Sequence, residues 1–367
     1  MCNTPGPLAS NTSADRPSKA GFVPALSAPI IFVTGASRSG TTMLARILGS
    51  HSGILMLNEM HYFGADWDPY DATREFSERR LADLAGELLA RQNHGLWQNG
   101  PSADECNWGQ RLVADLPEHE RGPAELFAAV LSRLSADAGK TFACEQTPRN
   151  IYYAARLLEI YPNARFVHIV RDPRAVLASQ KNRWQVRRLG APHVPISEVL
   201  RIRVNYHPYT MTNLWVKATD EALRLDGHAR FKMVRFEDLA ADAEGSIRDV
   251  CSFLSLQFEP GMLQIPHWGS SNVVSDSKQK GVSAEVVGKW RDSLSPGEVR
   301  ICEKTARNLM QKLGYATESP DRGGTLSLIP SLLSYPLHLV GVAAFNPARA
   351  WIHVREMLRR GRTTQGS

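Results

Sequence analysis

The segment Pro29–His51, PIIFVTGASRSGTTMLARILGSH, decides the fold of this chain. Its first part, Pro29–Gly35, is a short apolar run rich in β-branched residues that ends at glycine, as buried parallel strands do. Leu44, Ile47 and Leu48 then recur at helical spacing. The order of strand, glycine loop and helix predicts a loop that binds phosphate at the start of the helix.

The loop departs from the pattern G-x-x-x-x-G-K-[ST] of nucleoside triphosphatases. Gly35 and Gly40 have the right spacing, but Thr41 stands where the lysine belongs and Arg38 lies within the loop. In those enzymes the lysine serves the β and γ phosphates, so its absence indicates that no γ-phosphate is handled. Backbone N–H groups and the hydroxyls of Thr41 and Thr42 still suit a phosphate. The alternative is a tight turn without a ligand.

Strand patterns followed by helix patterns recur along the chain. KTFACEQTPRN precedes IYYAARLLEIYP, and RFKMVR precedes FEDLAADAEGSIRDVCSFLSL. Between them a strand from Phe166 to Val170 leads into a helix with Asp172 as N-cap and Pro173 in the first turn. This alternation predicts an α/β fold of P-loop type over residues 29–318, with a mostly parallel sheet flanked by helices.

Both ends of the chain differ from this central part. Residues 1–28 are rich in Ser, Pro, Ala and Asn and predict a disordered arm. Residues 319–367 form an extension that is first apolar and then basic. Its part Thr325–Ala348 has no charged residue, and Pro330 and Pro336 argue against a simple transmembrane helix. We expect the extension to pack on its own domain or on a second copy in a homodimer, or to contact a membrane peripherally.

The overall composition gives weaker evidence about ligands and location than the motifs do. A net charge of +6 suits anionic ligands or membrane surfaces, and no nucleic-acid partner is predicted. The five cysteines are scattered without C-x-x-C spacing, which predicts reduced thiols in a cytoplasmic protein and no zinc site. The N-terminus lacks a basic region followed by an apolar one, so no secretory signal is expected.

The sequence SRSGTT resembles the 5′-phosphosulfate-binding loop of sulfotransferases that use 3′-phosphoadenosine-5′-phosphosulfate (PAPS). In that family the cationic residue two positions before the glycine contacts the 5′ phosphate and the leaving oxygen. The resemblance gives this role to Arg38 and implies that Ser39, Gly40, Thr41 and Thr42 hold the phosphosulfate. A guanidinium is suited to the charge that develops on the bridging oxygen during sulfuryl transfer.

A second segment, VRDPRAVLASQKNR, resembles the family's 3′-phosphate motif, in which an arginine leaves a strand and a serine follows along the helix. Arg171 and Ser179 match these positions. Arg183 lies one turn beyond Ser179 and matches a third contact of tyrosylprotein sulfotransferases. In its motif spacing the chain is most similar to tyrosylprotein-type and bacterial sulfotransferases, over roughly Ile30 to Tyr315.

Two further contacts with PAPS are implied by the resemblance. In RFEDL, Phe236 stands in place of a tyrosine near the adenine and keeps the ring without the hydroxyl. In the segment that leads to Trp290, Lys280 matches a lysine that reaches the cofactor, and Ser270 or Ser271 matches an upstream serine. No metal is required by this chemistry.

The acceptor hydroxyl must lose its proton as the new bond forms, so a base is needed near the loop. In LMLNEMHYF, Glu59 lies at the same distance from Arg38 as the catalytic glutamate of tyrosylprotein-type enzymes, which predicts Glu59 as general base. His61 is the alternative base. In CEQTPRN, Gln146 stands where related enzymes have a lysine that assists the sulfuryl group, so Arg38 or Arg149 must compensate or turnover is slow.

The acceptor is predicted less directly. The uncharged tail and the aromatic residues between Phe63 and Lys140 favour a carbohydrate or glycolipid hydroxyl. Trp67, Trp97 and Trp108 suit a sugar in a capped cleft, but scattered tryptophans also serve packing. Protein tyrosine or a small molecule is the second hypothesis. More distant alternatives are a nucleotide kinase with a degenerate loop, which would need Asp172 for Mg²⁺, and a non-catalytic nucleotide-binding protein.

Overall fold

A five-stranded parallel sheet forms the centre of the protein. The computed structural model describes residues 25–71, 74–95, 100–187, 194–265, 287–318 and 328–346. The strands are β1 (Ile30–Gly35), β2 (Ile54–Met56), β3 (Phe142–Glu145), β4 (Arg165–Val170) and β5 (Phe231–Arg235). Their order is β2-β3-β1-β4-β5, and every neighbouring pair is parallel. The predicted parallel sheet is confirmed.

Helices cover both faces of this sheet. The α-helices of the described residues are α1 (Thr41–Gly49), α2 (Glu78–His94), α3 (Ala103–Asp115), α4 (Pro123–Asp137), α5 (Ala154–Ile160), α6 (Pro173–Lys181), α7 (Ile196–Val204), α8 (Pro208–Arg224), α9 (Phe236–Ala241), α10 (Ala243–Leu254), α11 (Trp290–Ser293), α12 (Pro296–Lys312) and α13 (Ile329–Phe345). Phe32 of β1 belongs to one hydrophobic cluster, whereas Ile31 and Val33 belong to another. Successive side chains of a strand point to opposite faces, so each face of β1 is buried under its own helical layer.

The sheet order places β1 at the point where the chain changes direction across the sheet. β1 pairs with β3 on one side and with β4 on the other. In open parallel sheets, ligands bind beyond the carboxyl ends of the strands at this point. The loop after β1 and the turns after β3 and β4 therefore meet at one edge.

Sequence patterns underestimated the helical content of two regions. The part between Phe63 and Lys140 contains α2, α3 and α4, and Trp67 and Trp108 pack with the hydrophobic core there. These two rings pack with the core, as the packing alternative predicts, and their contact with a sugar stays a prediction; Trp97 lies outside the described residues. In the extension, α13 continues through Pro336.

The cysteines follow the sequence prediction only in part. Cys144, Cys251 and Cys302 are buried free thiols. Cys106 is in a disulfide bond, which corrects the expectation of five reduced thiols. Spacing along the chain does not reveal pairing between distant cysteines. Within the described ranges, none of the helices combines the length and the hydrophobicity needed to cross a membrane.

Candidate active site

The loop between β1 and α1 has an unusual backbone, which the sequence explains at its glycines. Arg38 has φ 79° and Gly40 has φ 108°, in the region that favours glycine. A Cβ on Gly40 would lie 2.9 Å from the ring of Phe236, and a Cβ on Gly35 would lie 2.6 Å from the carbonyl oxygen of Ile169. The two glycines allow the loop to pass close to β4 and α9.

The start of α1 is suited to an anion. Gly40 is its N-cap and supplies no side-chain oxygen to the first N–H groups, which in an α-helix have no partner within the helix. The hydroxyl oxygen of Ser39 is buried and has no hydrogen-bond partner among the described residues. Thr41 is buried, whereas Thr42 is exposed. Unpaired donors at a positive helix end fit a phosphate or sulfuryl group.

The second predicted motif lies beside this loop. Arg171 follows β4, and Ser179 lies on α6; both are buried. Nε of Arg38 donates a hydrogen bond of 3.0 Å to Oγ of Ser179 across 141 positions of sequence. The guanidinium of Arg171 lies 4.1 Å from the ring centre of Phe236. The structure thus brings Arg38, Arg171, Ser179 and Phe236 together.

The arginines of this group repel one another. Burial, followed by the positive charges of Arg183 and Arg171, lowers the pKa of Arg38 to about 10, although Glu59 acts in the opposite direction. Burial also lowers the pKa of Arg171, against the carboxylates of Glu237 and Asp172. An anion bound among these cations would offset both the burial and the repulsion.

Glu59 and His61 form a pair close to the arginines. Nε2 of His61 lies 2.8 Å from Oε2 of Glu59, and their side chains are 25% and 35% exposed. His61 has φ 48°, and its backbone N–H donates to Oγ1 of Thr147 at 3.1 Å. The two candidate bases are therefore in direct contact and both reach solvent.

A buried carboxylate that the sequence did not single out holds this segment. Glu145, at the end of β3, accepts hydrogen bonds from the N–H of Met60 at 3.1 Å, from the N–H and hydroxyl of Thr147, and from the amide of Asn150 at 2.6 Å. Burial raises the pKa of Glu145, whereas these bonds to Thr147 and Met60 favour the charged form. No spacing in the sequence identifies it, because its role comes from contacts with Met60 and with the turn after β3.

The residues after β3 show what replaces the expected lysine. Gln146 is 5% exposed, and its Oε1 has no hydrogen-bond partner among the described residues. The guanidinium of Arg149 reaches Gly64, in the loop after His61. Gln146 offers a polar amide without charge, and compensation by Arg149 or Arg38 stays a prediction.

The remaining predicted residues are Asp172 and the cofactor contacts in the segment that leads to Trp290. Asp172 is the N-cap of α6, its Oδ1 accepts from the N–H of Arg174 at 2.8 Å, and the two side chains are paired. The predicted cap is confirmed, and the carboxylate that a kinase would need for Mg²⁺ is engaged by Arg174. Ser270, Ser271 and Lys280 lie outside the described residues. In the part of the chain that the structure describes, no three His, Cys, Asp or Glu side chains are grouped to hold a metal ion.

The fold and the loop define a P-loop type α/β protein whose site, at the switch point of its sheet, is suited to phosphate-like anions. Residues 29–260 match the sulfotransferase family. Because this match covers more than half of the chain, the protein belongs to the sulfotransferase family.

Individual relatives differ in their acceptors. The chain is 26% identical over 258 residues to an omega-hydroxy-beta-dihydromenaquinone-9 sulfotransferase of Mycobacterium bovis, covering 62% of this chain and 63% of that protein. It is 24% identical over 354 residues to carbohydrate sulfotransferase 1 of Danio rerio, covering 81% and 80%. It is 21% identical over 304 residues to a putative protein-tyrosine sulfotransferase of Caenorhabditis briggsae, covering 79% and 90%. The chain thus spans less than two thirds of the mycobacterial relative.

Among solved structures, the sulfotransferase domain from the curacin biosynthetic pathway has a similar fold. The TM-score is 0.50 at 19% sequence identity, and the similarity covers 79% of this chain and 99% of that domain. This likeness shows a shared fold.

Proposed function

We propose that this protein transfers the sulfuryl group of PAPS to an acceptor hydroxyl by in-line displacement. The observation that carries the proposal is the contact of Arg38, in the loop after β1, with Ser179 of the second motif. Arg171 adds a second buried cation beside them. Two cationic motifs that are distant in sequence and adjacent in space fit a nucleotide with phosphates at both its 5′ and 3′ positions.

Each site residue has a role in this proposal. Arg171, Ser179 and Arg183 hold the 3′ phosphate, and Phe236 offers its ring to the adenine. In the loop, Ser39, Gly40, Thr41 and Thr42 bind the 5′ phosphosulfate. Bound PAPS supplies the activated sulfuryl group, and Ser271 and Lys280 are proposed further contacts to it.

Side chains of the protein carry out proton transfer and stabilise charge during sulfuryl transfer. Glu59 accepts the proton of the acceptor hydroxyl, and the ring of His61 donates a hydrogen bond to Glu59 that fixes its carboxylate. Arg38 stabilises the negative charge that develops on the leaving oxygen. Glu145 keeps the segment of Glu59 and His61 in place through Met60 and Thr147.

The acceptor is proposed to be a carbohydrate or a glycolipid. The carbohydrate relative supports a sugar hydroxyl, and the menaquinone relative supports a hydroxyl carried by a lipid. Protein tyrosine is the second candidate, favoured by the position of Glu59 relative to Arg38 and by the tyrosine-modifying relative. A cytoplasmic location stays a prediction.

Incubation with ³⁵S-labelled PAPS and a panel of sugars, glycolipids, phenols and tyrosine peptides tests this function. We expect label in a sugar or glycolipid product, and we expect the rate to be unchanged by a metal chelator. Phosphate transfer from ATP that requires Mg²⁺ would instead support the kinase. Binding of the nucleotide without transfer to any acceptor would support the non-catalytic alternative.

A further inference from the structure

Helix α13 lies against α7 and α8 with its polar side. Nδ1 of His338 donates to the carbonyl oxygen of Val204 at 2.9 Å, and its Nε2 accepts from the hydroxyl of Thr210 at 3.0 Å. Both ring nitrogens are therefore paired, and His338 is only 9% exposed. A buried histidine with both nitrogens satisfied in this way fixes the rotation of the helix about its axis.

Hydrogen bonds also hold α13 near its two ends. Near its start, the carbonyl oxygen of Ser331 accepts from Nε2 of His207 at 3.0 Å. Directly after its end, the amide of Asn346 donates to Oδ1 of Asn205 at 2.8 Å. In between, a Cβ on Gly341 would lie 2.9 Å from a methyl group of Val204, so the absence of a side chain at Gly341 makes room for Val204. The ring of Tyr335 also packs against the rings of His207 and Tyr209. The inner side of α13 is thus held by polar groups, an aromatic ring and a glycine.

The outer side of α13 is apolar. Leu333, Leu337 and Val340 are 72%, 75% and 69% exposed, and their spacing of four and three residues places them on one stripe. Leu339 and Phe345 are about half exposed. From Leu333 to Val340 this stripe is about 10 Å long. A helix on the surface of a water-exposed domain normally has the opposite arrangement, with its apolar stripe inward.

Charge indicates what covers this outer face. Thr325–Ala348 has no charged residue, and the sequence after it contains one acidic residue, Glu356, against five arginines. These are Arg349, Arg355, Arg359, Arg360 and Arg362. A second copy of the chain would have the same positive excess, whereas a bilayer with anionic headgroups complements it.

We propose that the outer face of α13, formed by Leu333, Leu337 and Val340 and flanked by Leu339 and Phe345, binds the surface of a lipid bilayer with anionic headgroups. The helix then lies in the plane of the interface with its apolar side in the acyl region, and the net positive charge of the sequence after it favours anionic headgroups. The docking itself does not depend on the proposed function.

Helix α7 contacts both α13 and the segment that follows α6 at the candidate site. Asn205, directly after α7, contacts Asn346, and the guanidinium of Arg203 lies 5.2 Å from the ring centre of Trp184. Trp184 belongs to the 3-10 helix Arg183–Arg187, which begins with a predicted 3′-phosphate contact. If the proposed function holds, bilayer docking brings the site close to acceptors carried by lipids.

Flotation of the full chain with vesicles of phosphatidylcholine, with and without phosphatidylglycerol, tests the docking. We expect the protein to float with the anionic vesicles and to be partly released by salt. The double variant Leu337→Gln and Val340→Gln should bind at least about tenfold more weakly, because two large apolar side chains leave the bilayer. The matched control Ser334→Asn, an exposed polar change on the same helix, should bind like the wild type.

Light scattering and circular dichroism complete this test. The double variant should keep the wild-type spectrum and the wild-type affinity for adenosine 3′,5′-bisphosphate, which separates docking from folding and from nucleotide binding. Equal flotation of the wild type and the double variant would overturn the proposal. It would also be overturned by a wild-type dimer that ignores vesicles and dissociates in the double variant, because a second copy would then cover the face.

Discussion

Arg38→Ala is expected to abolish most sulfuryl transfer. In the proposed mechanism the guanidinium stabilises charge that develops in the transition state, and removal of such a donor typically lowers kcat by about 10²- to 10³-fold. Burial, followed by the positive charges of Arg183 and Arg171, lowers the pKa of Arg38 to about 10. The affinity of the wild type for adenosine 3′,5′-bisphosphate should therefore weaken as the pH rises through about 10, where Arg38 loses its proton, and the variant should lack this step.

Thermal unfolding without ligand is the control for this variant. Removal of Arg38 relieves repulsion within the arginine group but also removes its hydrogen bond to Ser179. Because these two effects oppose each other, the midpoint temperature of unfolding should not fall by more than a few degrees. The conservative variant Arg38→Lys should keep more of kcat than Arg38→Ala, because it keeps the charge but not the planar fork. Wild-type kcat in Arg38→Ala would remove the loop arginine from the mechanism.

Glu59→Gln is expected to have the other large effect. Its amide oxygen can still accept the hydrogen bond from His61, but the side chain can no longer take a proton from the acceptor. The loss of a general base lowers kcat by about 10²- to 10⁴-fold. Steady-state kinetics on the acceptor identified with labelled PAPS would measure it, and nucleotide affinity should stay within about threefold of the wild type.

Two variants show whether this effect is specific. His61→Gln should lower kcat less than Glu59→Gln, since in this account the ring only positions the carboxylate. Glu159→Gln, which changes an exposed carboxylate on α5, should behave like the wild type. A full loss in His61→Gln together with an active Glu59→Gln would assign the base to His61.

Local patterns predicted the part of the fold that positions the loop. The apolar run of β1, the glycines and the helical period of α1 lie within 23 consecutive residues, Pro29–His51, and each feature has its own physical signal. The strand order could not be predicted in this way, because the pairing of β1 with both β3 and β4 depends on long-range packing. Helix α13 was missed because Pro336 indicates a break, although the helix passes through it.

The candidate site also contains residues that local sequence motifs predicted and one that they did not. Arg38, Arg171, Ser179 and Phe236 were identified from motif resemblance, and the structure places them together, while their roles stay proposals. Glu145 was missed because its importance comes from contacts with Met60 and with the turn after β3, which no sequence spacing encodes. The outward orientation of the apolar side of α13 could not be predicted either. The sequence of an apolar helix with a few polar residues does not show which side packs against the protein; only its contacts with α7 and α8 do.

Calorimetric titration with adenosine 3′,5′-bisphosphate is the most direct test of the central claim, that the loop after β1 and the Arg171–Ser179 step bind the two phosphorylated ends of one nucleotide. We expect saturable binding that weakens at least about tenfold in Arg171→Ala, since a buried charge-assisted contact to the 3′ phosphate is lost. Adenosine 5′-monophosphate, which lacks the 3′ phosphate, should bind the wild type and Arg171→Ala about equally. No heat of binding with the bisphosphate, or equal affinity of both proteins for it, would contradict the account.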